Sequence, residues 1–186
     1  MPTAAKKLAT YEDVLAAPEH LVAQLIDGEL ITHPRPASRH ARAGSRLGSL
    51  LDGPFDRGSG GPGGWVILFE PELHLGAHVL VPDLAGWRRE RMPEMPDVAF
   101  FEMPPDFCCE ILSPSTARLD RIRKLPIYAD YGVGHVWLVD PLAQSLEVFA
   151  LDGESYRLTG TYAEEDIVEA APFEDVPLDL SLLWKR

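Results

Sequence analysis

The sequence predicts an α/β fold, a mixed β-sheet flanked by helices. Three observations carry this. Short apolar runs bounded by Gly and Pro recur along the chain, as strands do. Two stretches long enough for helices, 38–51 and 113–131, separate them. One run, Phe107 to Leu112, is wholly apolar except for Glu110 and suits a central strand.

Tyr11 to Ala17 reads as a short helix, and Leu21 to Ile31 as two strands joined at Asp27-Gly28, a hairpin signal. Pro34 and Pro36 break the chain. Ser38 is placed to cap a helix to about Leu51, with Ala41, Leu47, Leu50 and Leu51 as its apolar stripe. Gly53 to Gly64 reads as a loop. Trp65 to Phe69 and Glu72 to Leu75 read as strands interrupted at Pro71. His78 to Trp87 reads as one further strand, its Pro82 implying an edge or a bulge. The proline-rich stretch 88–106 is a connection. Ser113-Pro114-Ser115-Thr116 starts a helix that stops at Gly132. Pro126 inside it should kink it or loosen one turn, at a cost of about 3 kcal/mol. Strands follow at His135 to Asp140, Leu146 to Ala150 and Tyr156 to Gly160, then an acidic tail with apolar anchors.

A length of 186 residues suits one domain, 1–186, with a sizeable core. No apolar run approaches the roughly 20 residues needed to span a bilayer, and Met1 to Thr10 lacks a signal-peptide pattern. The expected location is therefore cytoplasmic, with no membrane partner. Cys108 and Cys109 are adjacent in an apolar run and suit packing rather than a disulfide. Trp65, Trp87, Trp137 and Trp184 suit core or interface anchoring rather than base stacking. The net charge of −12 counts against non-specific nucleic-acid binding. Yet Arg35, Arg39, Arg42 and Arg46 cluster, as do Arg118, Arg121, Arg123 and Lys124, while acid gathers between Glu147 and Asp179. That segregation permits a local basic surface.

Glu110 is the anomaly. A carboxylate in an apolar strand carries a large burial cost unless it is compensated. It is either a strand-end Glu paired with an arginine or a metal ligand. Three Pro-Asp pairs offer a partner. Asp106 would lie about 13 Å away along one strand at about 3.3 Å per residue, too far to share an ion. Asp97 lies in the unanchored connection. Asp83 ends an apolar strand that can lie beside Glu110, so the two can chelate one hard cation, Mg²⁺ or Mn²⁺ by preference; alone it also reads as a turn Asp. Asp120, Lys124 and Tyr128 share one helix face. That face is either a solvated ion pair or the means by which Lys124 reaches the site, to orient water or offset phosphate charge. Glu72 and His74 share a strand face, which makes Glu72 a candidate extra metal ligand.

The run Val81-Pro82-Asp83, then Cys109-Glu-Ile-Leu-Ser-Pro-Ser-Thr-Ala-Arg-Leu-Asp-Arg121, then Lys124, Tyr128, Gly132 and Val136 to Asp140, resembles the Uma2 family of restriction-endonuclease-like proteins. Leu25 to Leu30, Pro34 to His40 and Phe69 to Leu75 fit it too, so the resemblance covers nearly the whole chain. It implies a restriction-endonuclease-like core of the PD-(D/E)xK superfamily. There an Asp and the acid of a following strand bind Mg²⁺, and a lysine two residues after the acid assists the attacking water. Asp83 and Glu110 match the first two positions. Leu112 stands in the lysine position, and the Uma2-like pattern implies that Lys124 replaces it. Glu29 and His40 match family positions and are possible cleft residues, each with an ordinary turn or helix-start reading as well. Arg39, Arg42 and Arg46 are candidates to hold the substrate backbone.

The expected function is hydrolysis of DNA phosphodiester bonds by a Mg²⁺- or Mn²⁺-dependent endonuclease, working as a homodimer through a strand such as Leu146 to Ala150. The alternatives are a catalytically silent binding or assembly module on the same fold, and a metal-dependent hydrolase of another substrate.

Overall fold

A computed structural model describes residues 8–185. Helix α1 (Tyr11–Leu15) leads into strands β1 (Leu21–Ile26) and β2 (Glu29–Pro34). Ile26 pairs with Glu29 across a two-residue turn in which both Asp27 (φ 52°) and Gly28 (φ 71°) are left-handed. That is the turn whose twist matches a hairpin, and it explains the Asp-Gly choice. Helix α2 (Ser38–Leu51) follows, then a π-helical turn at Asp52–Asp56, β3 (Trp65–Phe69), β4 (Leu73–Leu75), β5 (His78–Leu80) and β6 (Leu84–Arg88). The second half holds β7 (Phe107–Ile111), α3 (Ala117–Leu119), a π-helical turn (Asp120–Lys124), α4 (Leu125–Asp130), β8 (His135–Asp140), β9 (Ser145–Asp152) and β10 (Ser155–Ala163). The tail adds β11 (Ile167–Val168), β12 (Leu178–Asp179) and α5 (Ser181–Trp184).

The strands form a six-stranded sheet, β10-β9-β8-β7-β6-β3, a four-stranded sheet, β2-β1-β5-β4, and the β11-β12 pair. The six-stranded sheet is mixed: β7 and β8 run parallel, joined by the α3–α4 crossover, and its other pairs are antiparallel. Alternation along β7 divides the core. Phe107, Cys109 and Ile111 face one cluster with Leu47 and Leu51 of α2, Trp137 and the tail's Phe173 and Leu183. Cys108 faces another with Trp87, Ile127, Tyr128, Leu138 and Leu112. Glu110 shares the second face. The sheet is thus mixed and flanked by helices, as predicted.

Several boundaries differ from the sequence reading. His78 to Trp87 is two strands in two sheets, since Val81-Pro82-Asp83 carries the chain from one to the other. A prolyl nitrogen cannot join a ladder, so the break falls there. Leu146 to Ala150 lies within β9, paired on both sides by β8 and β10, and is not an edge. In α2 the N-cap is Ala37 and Ser38 makes no capping hydrogen bond; the buried stripe is Ala43, Gly44, Leu47 and Leu51, with Ala41 exposed. Gly53 to Asp56 belongs to a helical turn rather than to the loop. A loosened, π-helical turn directly precedes Pro126. Without an N–H this proline cannot bond four residues back, and just before it Leu125 N–H bonds the Asp120 carbonyl five residues back.

Arg123, on that π-turn, ties the helix to the hairpin of the smaller sheet. Its guanidinium donates to Asp27 Oδ2 at 2.9 Å, Glu29 Oε2 at 2.9 Å and the Ile26 carbonyl at 2.8 Å. Both carboxylates are substantially exposed, so Arg123→Ala should cost only about 1 kcal/mol in a denaturant titration.

Candidate functional site

The site forms where the two sheets meet. Register fixes its first pair: Leu84 lies opposite Cys109 in the antiparallel β6–β7 ladder, so Asp83 comes beside Glu110. Asp83 Oδ2 accepts the Ile111 N–H at 2.7 Å, which pins the carboxyl to the end of β7. Glu110 is buried within the central strand. Its Oε2 lies 3.1 Å from Lys124 Nζ, and its Oε1 accepts the Tyr128 hydroxyl at 2.5 Å. Lys124 also lies 3.3 Å from Asp120 Oδ1. Lys124 and its two acidic partners each have side chains only 3% exposed. The helix after β7 therefore delivers three groups to one point, and its π-turn holds two of them. Leu112 instead packs into the apolar cluster with Ile127 and Tyr128.

Asp83, Glu110 and Lys124 line one cleft of about 300 Å³, together with His33, Arg35, His40, Glu70, Ser113 to Thr116 and Asp120. His40 Nε2 stands 3.4 Å from Asp83 Oδ1. Arg35 is 3.8 Å from Glu70 at the mouth.

The electrostatics follow from crowding acids around one ammonium. Burial pushes Asp83 up to about 7, against the Ile111 N–H and Lys124, which favour its ionised form. Burial pushes Glu110 up to about 8, with Lys124 opposing and Asp120 and Asp83 reinforcing. For Lys124 burial disfavours the charge, but Glu110, Asp120 and Asp83 outweigh it and hold the amine protonated, well above its ordinary value. Burial lowers His40, opposed by the hydrogen bond of its ring to the Ile111 backbone.

Other candidates lie elsewhere. Glu72 bonds the Tyr11 hydroxyl at 2.7 Å and His74 Nε2 at 2.8 Å, and does not line the cleft; Glu70 does. Parity holds, with Leu73 and Leu75 buried and Glu72 bonded to His74 on the other face, but that face lies away from the cleft; Glu70, left-handed at φ 47° ahead of Pro71, is the acid that lines it. Glu29 is paired with Arg123 outside the cleft lining. Arg39 and Arg42 line a separate groove with Pro141, Gln144 and Trp184, and Arg42 donates to the Lys185 carbonyl at 2.6 Å. Arg46 is exposed on the same helix. Arg35, read only as part of the basic cluster, is the arginine at the cleft. Asp106 is structural, accepting from Arg88 N–H and from Arg91, each at 2.8 Å.

Among the described residues, no three His, Cys, Asp or Glu side chains are grouped as a ready metal cage. The donor chemistry nonetheless suits a hard divalent ion. Asp83, Glu110, Asp120 and Glu70 bring four carboxyls to a cleft whose full cations are Lys124 and Arg35. Asp83 and Glu110 are the residues that would hold it.

A mixed sheet with helices on both faces and this crossover places the chain in the restriction-endonuclease-like α/β class. The chain belongs to the Uma2 family, described as "Putative restriction endonuclease", which matches residues 8–181. Among solved structures, a chain described as "a putative nuclease belonging to DUF820", from Anabaena variabilis ATCC 29413, shares the fold with a TM-score of 0.75 and 23% identity, over 94% of this chain and 97% of that one. No functionally curated protein matches. Among the described residues, no helix is long and apolar enough to cross a membrane.

Proposed function

We propose that the protein is a Mg²⁺- or Mn²⁺-dependent endonuclease that hydrolyses phosphodiester bonds of DNA. One observation carries the reading: a carboxyl just ahead of β6, another within the neighbouring β7 and a buried ammonium from the crossover helix line one cleft. When bound, a divalent ion supplies Lewis acidity toward the phosphate and a more acidic attacking water. The chain's own residues do the rest. Asp83 presents Oδ1 to the cleft while Ile111 N–H holds Oδ2. Tyr128 and Lys124 fix both oxygens of Glu110. Lys124 stays protonated, so its part is to orient water and offset phosphate charge rather than to accept a proton. Arg35 at the mouth is placed to meet a phosphate backbone. Two copies acting together on a duplex belong to the same proposal, with β3 and β10 as the open edges of the large sheet.

A silent module on the same fold is the second reading. Lys124 is fully enclosed between two carboxyls, and the net charge is −12. Cleavage of supercoiled plasmid and single-stranded DNA, with Mg²⁺, Mn²⁺ or EDTA, separates the two. Wild type should cut only with metal. Asp83→Ala and Lys124→Ala, verified as folded by circular dichroism, should lose at least about a hundredfold in rate. Equal cutting by all three proteins would leave the silent module.

A further inference from the structure

We infer that His40 Nε2 is a ligand to the same ion as Asp83, which turns the site's preference from Mg²⁺ toward transition-series divalent ions such as Mn²⁺. This rests on the metal-dependent reading above and adds a nitrogen to its oxygen donors.

The first turn of α2 carries the His40 ring into the cleft with its side chain 14% exposed. Nε2 stands 3.4 Å from Asp83 Oδ1. That is longer than the usual N–H···O range of about 2.7–3.2 Å. Both residues line the same cleft, where the His40 ring also hydrogen-bonds the Ile111 backbone. Neighbouring ligands held at about 2.0–2.2 Å from one ion lie about 3–3.5 Å apart, the spacing seen here. The Ile111 N–H occupies Asp83 Oδ2, so Oδ1 is the oxygen presented.

Hydrogen-bond logic excludes the other histidine of the cleft. Buried Gln24 accepts the Val81 N–H through Oε1 at 3.0 Å, which fixes its amide orientation. Its Nε2 must then donate to His33 Nε2 at 3.3 Å, leaving His33 Nδ1–H to donate to the Pro34 carbonyl at 3.2 Å. Both His33 nitrogens are thereby used. A carboxylate-only site suits Mg²⁺, whereas imidazole favours transition-series ions.

The test is spectroscopic. Mn²⁺ is titrated into metal-free wild type, His40→Ala and His33→Asn, with electron spin-echo envelope modulation recorded on each. Wild type and His33→Asn should show nitrogen modulation, shifted by ¹⁵N-histidine labelling in wild type, so a histidine ligand is detectable without any variant. His40→Ala should lose the modulation and at least about tenfold in Mn²⁺ affinity, with a smaller change for Mg²⁺. Mn²⁺ bound to wild type without nitrogen modulation, or modulation that persists in His40→Ala, overturns the assignment and leaves the metal reading standing. Failure of wild type to bind Mn²⁺ overturns both.

Discussion

Replacing Lys124 by Ala is expected to destabilise the protein by about 3–5 kcal/mol well above pH 8, the penalty for leaving buried charge without its partner. Lys124 is the ammonium between Glu110 and Asp120, and all three side chains are enclosed. The pH dependence follows from the sign of the Glu110 shift. Its folded value of about 8 lies above the ordinary 4.5, even with Lys124 present to pull it down. Removing the ammonium raises it further. A carboxyl whose folded value is raised is fully compatible with folding below its unfolded value. Stability is then lost as pH climbs through the folded value. Up to about pH 7 Glu110 is protonated in both folded proteins and adds nothing to their difference; its share of the variant's deficit appears as the wild-type carboxyl ionises at about 8 and grows above that. Urea titrations of wild type and variant at about pH 5 and pH 9.5 measure it directly. A deficit independent of pH would mean that packing, not charge, makes Lys124 matter. Adding Glu110→Gln to the variant should recover part of the loss at the higher pH, since a neutral amide needs no counterion.

The enclosure of Lys124 bears on chemistry as well as folding. An amine held protonated by three acids cannot serve as the base that deprotonates water. Its charge is fixed in place before a substrate arrives, and a preorganised charge costs no reorganisation during reaction.

Much of this site was legible from residues alone, and the parts that were not share physical causes. Glu110 stood out because an isolated carboxylate in an apolar strand demands a partner. Lys124 and Tyr128 stood out by their spacing of four, which held across the π-turn and α4. Asp83 was reached by elimination, yet through a mistaken geometry. It lies ahead of β6 rather than at the end of a strand continuous with β5. The error was harmless, because the β6–β7 register brings it to Glu110 in either picture. Glu70 was hidden because side-chain alternation cannot be carried through a left-handed residue followed by proline. The arginines of α2 were misplaced for a similar reason. His40 turns toward the cleft while Arg39 and Arg42 line another groove, and which face of a helix meets a site is set by tertiary packing. The tail was opaque because its strands are two residues long and its anchors, Phe173 and Leu183, act only through distant partners.

Metal uptake should be strongly proton-linked. Asp83 and Glu110 sit at about 7 and about 8 in the metal-free protein, so each must shed a proton to become an anionic ligand. Below those values an ion competes with protons for the same oxygens, and above them it does not. If both protons must leave, apparent Mn²⁺ affinity should rise on the order of a thousandfold between about pH 6 and pH 9, levelling off above pH 8. If Asp83 alone must ionise, the rise is about tenfold; if Glu110 alone, about a hundredfold. The size of the change therefore counts the carboxyls that bind. Calorimetric titrations in buffers of different ionisation enthalpy give the same count independently, as protons released per ion at about pH 6.5. The stability of the metal-free protein should move the opposite way. Both folded values are raised, so stability is greatest below about pH 4 and declines as pH rises through about 7 and 8. Saturating Mn²⁺ should accordingly raise the melting temperature more at pH 8.5 than at pH 6. An affinity flat across this range would show that neither carboxyl is a ligand.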